Sequence, residues 1–329
     1  MNVLFVQPPQ SKKSINLGLL EPLGLEILAG CLDKHDVRIL DMRINPHLEP
    51  TLRTFDPDIV GVTCISPEAE EAKDVCRRVK DYCSDTTTVV GGHHATMEPE
   101  DFALPTVDII VRGAGFPVID QLIRAIEDGR DLAEINNIVI REAESQTSTH
   151  YETIERLEAL PRPARGLTQE YRRKYRILGA PSPTALTVTS LGCPFRCDFC
   201  ACWKMQGGEY LERDLTDIVA ELETVQESSV FFGDDHTFYN VDRARELCRR
   251  IKKRGIQKTF TAYARADTIA ENPELIEEWS DAGLEALGVG YEAVSNDKLN
   301  SFGKRANLST NEEAFRILDR CGVLNFAHF

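Results

Sequence analysis

Leu191-Gly192-Cys193-Pro194-Phe195-Arg196-Cys197-Asp198-Phe199-Cys200 follows directly on the apolar run Ala185-Leu186-Thr187-Val188-Thr189-Ser190, and this junction of strand and cysteine loop decides how the second half of the chain is built. Thiolates are the ligands of iron-sulfur clusters, and three of them on one compact loop hold three irons of a cubane while the fourth iron stays open. An open iron can chelate the amino and carboxylate groups of a methionine-type ligand and pass it an electron. The alternative is a structural zinc site with Cys202 as fourth ligand, although zinc knuckles usually bring their thiolates as two separated pairs. Downstream of Cys202 only Cys248 and Cys321 remain, far apart on predicted helices. Those two, with Cys31, Cys64, Cys76 and Cys83, read as small buried hydrophobes. Cys202 is close enough to the loop to be redox-active and equally able to point into packing.

Outward from the loop, strand and helix patterns alternate strictly. Apolar runs at 185–190, 229–232, 259–264, 285–291 and 323–329 are separated by helical periods over 215–225, 242–253, 273–282 and 311–321, the pattern of parallel strands with crossover helices. These are too few strands for a closed eight-stranded barrel, so the second half is expected to be a partial (β/α) barrel that stops after its fifth strand. The first half repeats the alternation, with strands expected at 2–6, 36–40, 58–64, 87–92 and 108–113 and helices over 20–32, 67–82 and 117–126. That is a doubly wound parallel sheet, in which ligands sit beyond the carboxyl ends of the strands. Those ends carry Pro8 and Pro9, Ser66, Gly91-Gly92-His93-His94 and Gly113-Ala114-Gly115. A polar, proline-punctuated stretch lies between, so the domains are placed at 1–141 and 185–329 with a linker over 142–184.

Composition narrows the partners. The 329 residues contain 53 Asp plus Glu against 38 Lys plus Arg, a formal charge of -15, which argues against a nucleic acid backbone as the main partner. No apolar stretch approaches the roughly 20 residues that span a bilayer. The first twenty residues lack the basic start and apolar centre of a signal peptide, so the expected location is cytoplasmic. No Gly-x-Gly-x-x-Gly follows the first strand and no phosphate loop is present.

The cysteine spacing, three residues then two, resembles the signature of the radical S-adenosylmethionine superfamily, and Phe199 before the last cysteine matches it too. The resemblance implies a [4Fe-4S] cluster on Cys193, Cys197 and Cys200, and it makes Phe199 part of the S-adenosylmethionine site. It extends to Asp234 and Asp235 after the second strand, Arg265 in Tyr263-Ala264-Arg265-Ala266-Asp267, and Glu292 after Gly288-Val289-Gly290-Tyr291, ahead of a loop with Gly303, Lys304 and Arg305. These would contact S-adenosylmethionine. The other readings are a helix-capping pair for the two aspartates, a surface ion pair for Arg265 and a structural role for Glu292.

The front half is similar to the cobalamin-binding domains fused to such enzymes, through Gln7-Pro8-Pro9, Glu21-Pro22-Leu23-Gly24-Leu25, Gly91 to Thr96 and Val111 to Gly115. The resemblance implies a cobalamin held along Pro8, Pro9, Ser66, Gly91, Gly92, His94, Gly113 and Gly115, where glycines let backbone approach a wide planar ligand. His93 and His94 are open to a second reading, as loop histidines capping the following helix. Histidine-ligated cobalamin domains carry Asp-x-His-x-x-Gly after the second strand; here that place reads Asp41-Met42-Arg43-Ile44-Asn45-Pro46, so no histidine ligand to cobalt is expected. Ala114 and Phe116 replace two carboxylates common in the family's fifth loop.

Over nearly its whole length the chain resembles the hopanoid C-3 methylase group of cobalamin-dependent radical methyltransferases. What this implies is cleavage of S-adenosylmethionine to a 5′-deoxyadenosyl radical, hydrogen abstraction from an unactivated carbon, and methylation of that carbon from methylcobalamin. A small-molecule or lipid-like substrate and an electron donor such as flavodoxin or ferredoxin are implied as partners, with peripheral membrane association compatible with a lipid. Group members continue past the fifth strand to a further strand and a C-terminal domain, so the chain is expected to be a fragment or to be completed by a partner. The alternatives are a cobalamin-dependent radical cyclase or rearrangement enzyme, and a protein that binds cobalamin or a cluster without catalysis.

Overall fold

Both alternating sets of side chains in β1 (Asn2–Gln7) are apolar and buried, Leu4 and Val6 on one side, Val3 and Phe5 on the other. Such a strand needs cover on both faces, the condition under which parallel sheets form. Accordingly β2 (Asp36–Asp41) and β3 (Ile59–Thr63) flank β1 in parallel, β4 (Thr87–Gly91) pairs with β3, and β5 (Ile109–Val111) with β4. Helices Leu48–Phe55 and Ala69–Tyr82 cover the Leu4 face, and Leu23–Ala29 and Ile119–Asp128 cover the Phe5 face.

The computed structural model describes residues 1–12, 18–141, 145–157, 160–304 and 306–329. It divides into two units, one built on Pro22–Ile154 with Leu160–Tyr171, the other on Arg172–Phe329. Both are mixed α/β with parallel sheets. The first sheet is wider than its five expected strands: β6 (Ile138–Arg141) and β7 (Gln146–Ser148) add to it antiparallel, for the order β2-β1-β3-β4-β5-β6-β7. β7 falls where the sequence reads as linker, because an edge strand with one neighbour can be as polar as Gln-Thr-Ser. Helix Leu48–Phe55 was also not expected; it is short and carries Pro50 in its first turn, where the missing amide is tolerated.

In the second unit β8 (Thr184–Thr187), β9 (Ser229–Phe232), β10 (Thr259–Arg265), β11 (Leu284–Gly290) and β12 (Leu324–His328) are all parallel and lie in sequence order. Helices Leu215–Thr224, Val241–Lys253, Pro273–Ser280 and Leu308–Arg320 join one face of these strands in a single core. Within it Trp279 is fully buried against Phe232, Phe238 and Phe260, and its indole nitrogen donates to the Ala244 carbonyl at 3.1 Å. Strands in sequence order, with crossover helices in one common core, make a five-stranded parallel β/α sheet.

One early piece of chain belongs to this second unit. Gly18–Leu19 pairs antiparallel with Arg176–Ile177, and Glu21 accepts from the Leu186 amide of β8. Beside it Arg172, 7% exposed, donates to Glu21 at 2.6 Å and to Glu227 at 2.5 Å.

Candidate cofactor site

The cysteine loop leaves the carboxyl end of β8 through a small hairpin, Ser190–Leu191 against Leu211–Glu212. Gly192 must be glycine here: its φ is +83°, and a Cβ would stand 2.3 Å from the Glu209 carbonyl. Asp234, at the end of β9, is 1% exposed and accepts from the Thr189 amide (2.6 Å), the Thr189 hydroxyl (2.6 Å) and the Ser190 amide (3.1 Å). Burial raises its carboxyl pKa against the pull of those donors. Asp234 therefore holds the loop's root, through residues 189 and 190 and not as the helix cap that the sequence also allows. Asp235 reaches the loop itself, accepting from the Gly192 amide at 3.1 Å.

Cys197 is the buried thiol of the three, and Cys193 and Cys200 are half-buried. The loop is pinned from several sides. The Cys200 amide donates to the Cys197 carbonyl (3.1 Å), as does the Trp203 indole (3.2 Å), and the Asp198 amide donates to the Phe302 carbonyl (3.3 Å). Phe199 is 53% exposed and meets Phe302 edge-on at 5.5 Å. Among the described residues no three His, Cys, Asp or Glu side chains converge around a single ion, whereas a cubane takes each thiolate on a different iron.

One cation contacts Cys197 and a second interacts with it through its charge. Arg265, at the end of β10, approaches its sulfur at 3.6 Å, lies over the Phe195 ring at 3.8 Å and is held by Asp267 at 2.6 Å. Lys304, 4% exposed, donates to the Gly290 carbonyl and to Glu292 at 3.0 Å, and interacts electrostatically with Cys197. Burial lowers the Lys304 pKa, and Glu292 partly restores it. Glu292 has φ +64°, a left-handed conformation unusual for a side chain of its size. Arg265, Asp235 and Glu292 thus lie at the carboxyl ends of neighbouring strands around the cysteine loop. Arg305 lies outside the described residues. Thiolate donors, two cations and a loop rooted at a strand end fit an anionic iron-sulfur cluster.

Burial pushes the Cys193 thiol up, while a hydrogen bond from Cys202 holds Cys200 down at about 6 and raises Cys202 in turn. Among the other cysteines Cys64, Cys76 and Cys248 are buried as expected, but Cys31, Cys83 and Cys321 are only partly so.

His236 is a residue that the sequence reading passes over, although it directly follows Asp235. It is 1% exposed, bonds Thr268 through Nε2 at 3.0 Å and packs on Phe195. Burial, helped by Arg265 and Lys304 and opposed by Asp267, lowers its pKa from 6.5 to about 4. A histidine held neutral in the fold binds its proton more tightly when unfolded, so this contribution is intact above pH 6.5 and is lost as pH falls toward 4. The full loss is about 3 kcal/mol. Urea unfolding of wild type and His236→Gln at pH 7 and pH 4.5 checks this: wild type should lose more stability than the variant between the two.

In the first unit, Pro8, Pro9, Ser66, Gly91, Gly92, His94, Gly113 and Gly115 end or follow β1, β3, β4 and β5, which are neighbours in the sheet, so all of them lie along one edge. Gly92 has φ +98°, and a Cβ there would crowd the Cys64 carbonyl at 2.8 Å. The Thr96 hydroxyl donates to the Gly92 carbonyl (2.8 Å) and accepts from the Gly113 amide (2.9 Å), joining two of the loops. His94 lies in the helical turn His93–Met97 with both ring nitrogens engaged, Nδ1 with Ser66 at 3.0 Å and Nε2 with Asp101 at 2.9 Å. Neither is left for a cobalt ion. Arg43, where a cobalt-ligating motif would have histidine, forms a two-pronged pair with Asp41 (2.8 and 2.6 Å). An edge with an exposed Ser66, Ile65 42% exposed and glycine backbone suits a broad ligand of mixed polarity, and it fits a cobalamin whose metal takes no histidine from the protein.

Residues 17–123 match the family described as B12 binding domain, and residues 187–328 match the Radical SAM superfamily. The chain is 30% identical to the hopanoid C-3 methylase of Methylococcus capsulatus, over 92% of this chain and 59% of that protein. It is also 30% identical to the anaerobic magnesium-protoporphyrin IX monomethyl ester cyclase of Rubrivivax gelatinosus, over 100% of this chain and 62% of that one. It therefore spans about three fifths of the length of both relatives. In fold it is similar to the radical S-adenosylmethionine methyltransferase TsrM from Kitasatospora setae, with a TM-score of 0.81 at 20% identity, over 99% of this chain and 67% of that one. No helix among the described residues is long and apolar enough to cross a membrane.

Proposed function

We infer, from the premise that this chain is a B12-binding domain-containing member of the Radical SAM superfamily, that it is an enzyme transferring a methyl group to an unactivated carbon of a small or lipid-like substrate. The observation that carries this reading is the loop of Cys193, Cys197 and Cys200 at the end of β8, with Arg265 and Lys304 beside Cys197. When bound, a four-iron cluster, S-adenosylmethionine and cobalamin would supply the radical and methyl-carrying chemistry that side chains cannot.

The chain's own residues hold and shield those groups. Cys193, Cys197 and Cys200 are the cluster thiolates, and the cations offset their charge. Asp235 and Glu292 offer carboxylates to the amino and hydroxyl groups of S-adenosylmethionine. Arg265, stacked on Phe195, is placed to meet its carboxylate, and Phe199, edge-on to Phe302, offers that cofactor an apolar face. In the first unit, Pro8, Pro9, Ser66, Gly91, Gly92, His94, Gly113 and Gly115 line the cobalamin. A flavodoxin or ferredoxin serves as electron donor.

A second reading, radical cyclisation without methyl transfer, is favoured by the likeness to the magnesium-protoporphyrin cyclase. S-adenosylmethionine labelled in its methyl group separates the two. After anaerobic loading with iron, sulfide and cobalamin and addition of a reductant, label in the lipid or small-molecule product together with 5′-deoxyadenosine is the expected result. Formation of 5′-deoxyadenosine with no label in product would move the assignment to the cyclase. Protein that takes up neither iron nor cobalt would end both readings.

A further inference from the structure

Ser66, His94 and Asp101 form a hydrogen-bonded file that starts at the strand-end edge of the first unit and ends on a cation. His94 Nδ1 lies 3.0 Å from the Ser66 hydroxyl, and Nε2 lies 2.9 Å from one carboxylate oxygen of Asp101, whose other oxygen accepts from Lys73 at 2.7 Å. Glu70 anchors Lys73 in turn, at 2.8 Å. The file joins separate pieces of chain. Ser66 opens the short turn Ser66–Glu68 after β3, His94 stands in the turn after β4, Asp101 lies in Pro99–Phe102, and Lys73 belongs to helix Ala69–Tyr82. Phe102 meets the His94 ring edge-on at 5.7 Å. The His94 side chain is only 13% exposed, whereas Ser66 is open to the edge.

The donors and acceptors of each member set the direction of the file. Hydrogen bonds from Lys73 and His94 hold the Asp101 carboxyl below its ordinary range, so it is a carboxylate and only accepts. In its neutral form His94 must then carry its proton on Nε2, which leaves Nδ1 a lone pair. The single Ser66 hydroxyl proton is committed to that Nδ1. What Ser66 shows to a ligand is therefore oxygen lone pairs alone. Turning the proton outward would leave a shielded ring nitrogen without its donor.

We propose that Asp101, acting through His94, fixes the Ser66 hydroxyl as a hydrogen-bond acceptor toward bound cobalamin, so that the edge takes a primary amide of the corrin rim and rejects a carboxylate in the same place. An amide can turn its N–H to Ser66, but a carboxylate has only lone pairs to set against lone pairs. Asp101 is thus a positioning residue, and the corrinoids it excludes are those whose rim acids have not been amidated. This inference rests on the reading of the strand ends as a cobalamin site.

The test measures dissociation constants by absorbance titration of the full chain at pH 8 with cyanocobalamin and, separately, with its isomeric rim monocarboxylic acids. Wild type should bind one of the acids about 10–100-fold more weakly than the parent, the usual weight of a hydrogen bond to a charged group. In Asp101→Asn the file should reverse. Lys73 can only donate, so it holds the new amide oxygen and leaves the amide NH2 facing Nε2. The ring proton then sits on Nδ1, and the Ser66 proton is free to point at the ligand. That variant should bind the parent as wild type does, because an amide can turn, and should bind the rejected acid as tightly as the parent. A residue that merely supported the fold would weaken both ligands alike when changed. Ser66→Ala has no hydroxyl to aim, so it should also lose the discrimination, and it carries the test if Asp101→Asn does not fold.

Equal binding of the parent and every acid by wild type would overturn the proposal. So would rejection of the acid that persists in folded Asp101→Asn or in Ser66→Ala. Absence of any cobalamin binding by wild type would sink the cofactor reading and this inference with it, and titration with the parent alone separates that failure from the others.

Discussion

Cys197→Ala should reduce bound iron and sulfide to background and abolish formation of 5′-deoxyadenosine, with the fold intact by circular dichroism. Cys193→Ala and Cys200→Ala should do the same. The size of the effect follows from the role proposed for each thiolate, the only protein ligand of one iron in a cubane. Removing a group that merely orients a metal ligand already costs about 10–100-fold in affinity, and loss of the ligand itself exceeds that. Cys197 is the most telling of the three because Arg265 and Lys304 both act on its sulfur. Cys248→Ala is the matched control. That thiol is 1% exposed on the helix Val241–Lys253, so its loss should lower stability and leave iron content unchanged. A Cys197→Ala protein that kept full iron and the broad absorption of a four-iron cluster would refute the assignment.

How much of this could be read from residues alone depended on the range of the contacts involved. The ten parallel strands of the two main sheets announced themselves as apolar runs, most of them because a strand covered on both faces has little room for polar side chains. The edge strand Gln146–Ser148 did not, since it answers to a single neighbour. The cysteine loop was legible because its chemistry is local, three ligands within eight residues. What holds the loop was not. Asp234 and Asp235 looked alike in sequence, and only the fold separates them: Asp234 is turned inward to residues 189 and 190, while Asp235 faces the Gly192 amide. His236 and Lys304 owe their lowered pKa values chiefly to burial, which no local pattern of residues announces. Glu21 read as the opening of the first helix, yet its partners are Arg172 and Leu186, more than 150 residues away in the chain.

Arg172→Ala should destabilise the second unit by about 3–5 kcal/mol, the usual result of leaving buried carboxylates without their cation. Arg172, Glu21 and Glu227 are 7%, 2% and 6% exposed, so water cannot replace the missing charge. Burial alone would lower the Arg172 pKa, but Glu227 and Glu21 together raise it, so the guanidinium is firmly charged and serves both acids at once. The damage has a direction. Glu21 also accepts from the Leu186 amide in β8, the strand that runs into Thr189, Ser190 and the cysteine loop. A repelled Glu21 would therefore loosen the root of the cluster site as well as the core. Urea unfolding measures the first effect, and iron retention after gel filtration measures the second. The cause can be isolated by neutralising the acids: Arg172→Met combined with Glu21→Gln and Glu227→Gln should recover a large part of the lost stability, because uncompensated charge, more than lost packing, accounts for the cost. If the triple variant were no more stable than Arg172→Ala, the triad would owe its importance to shape instead of charge.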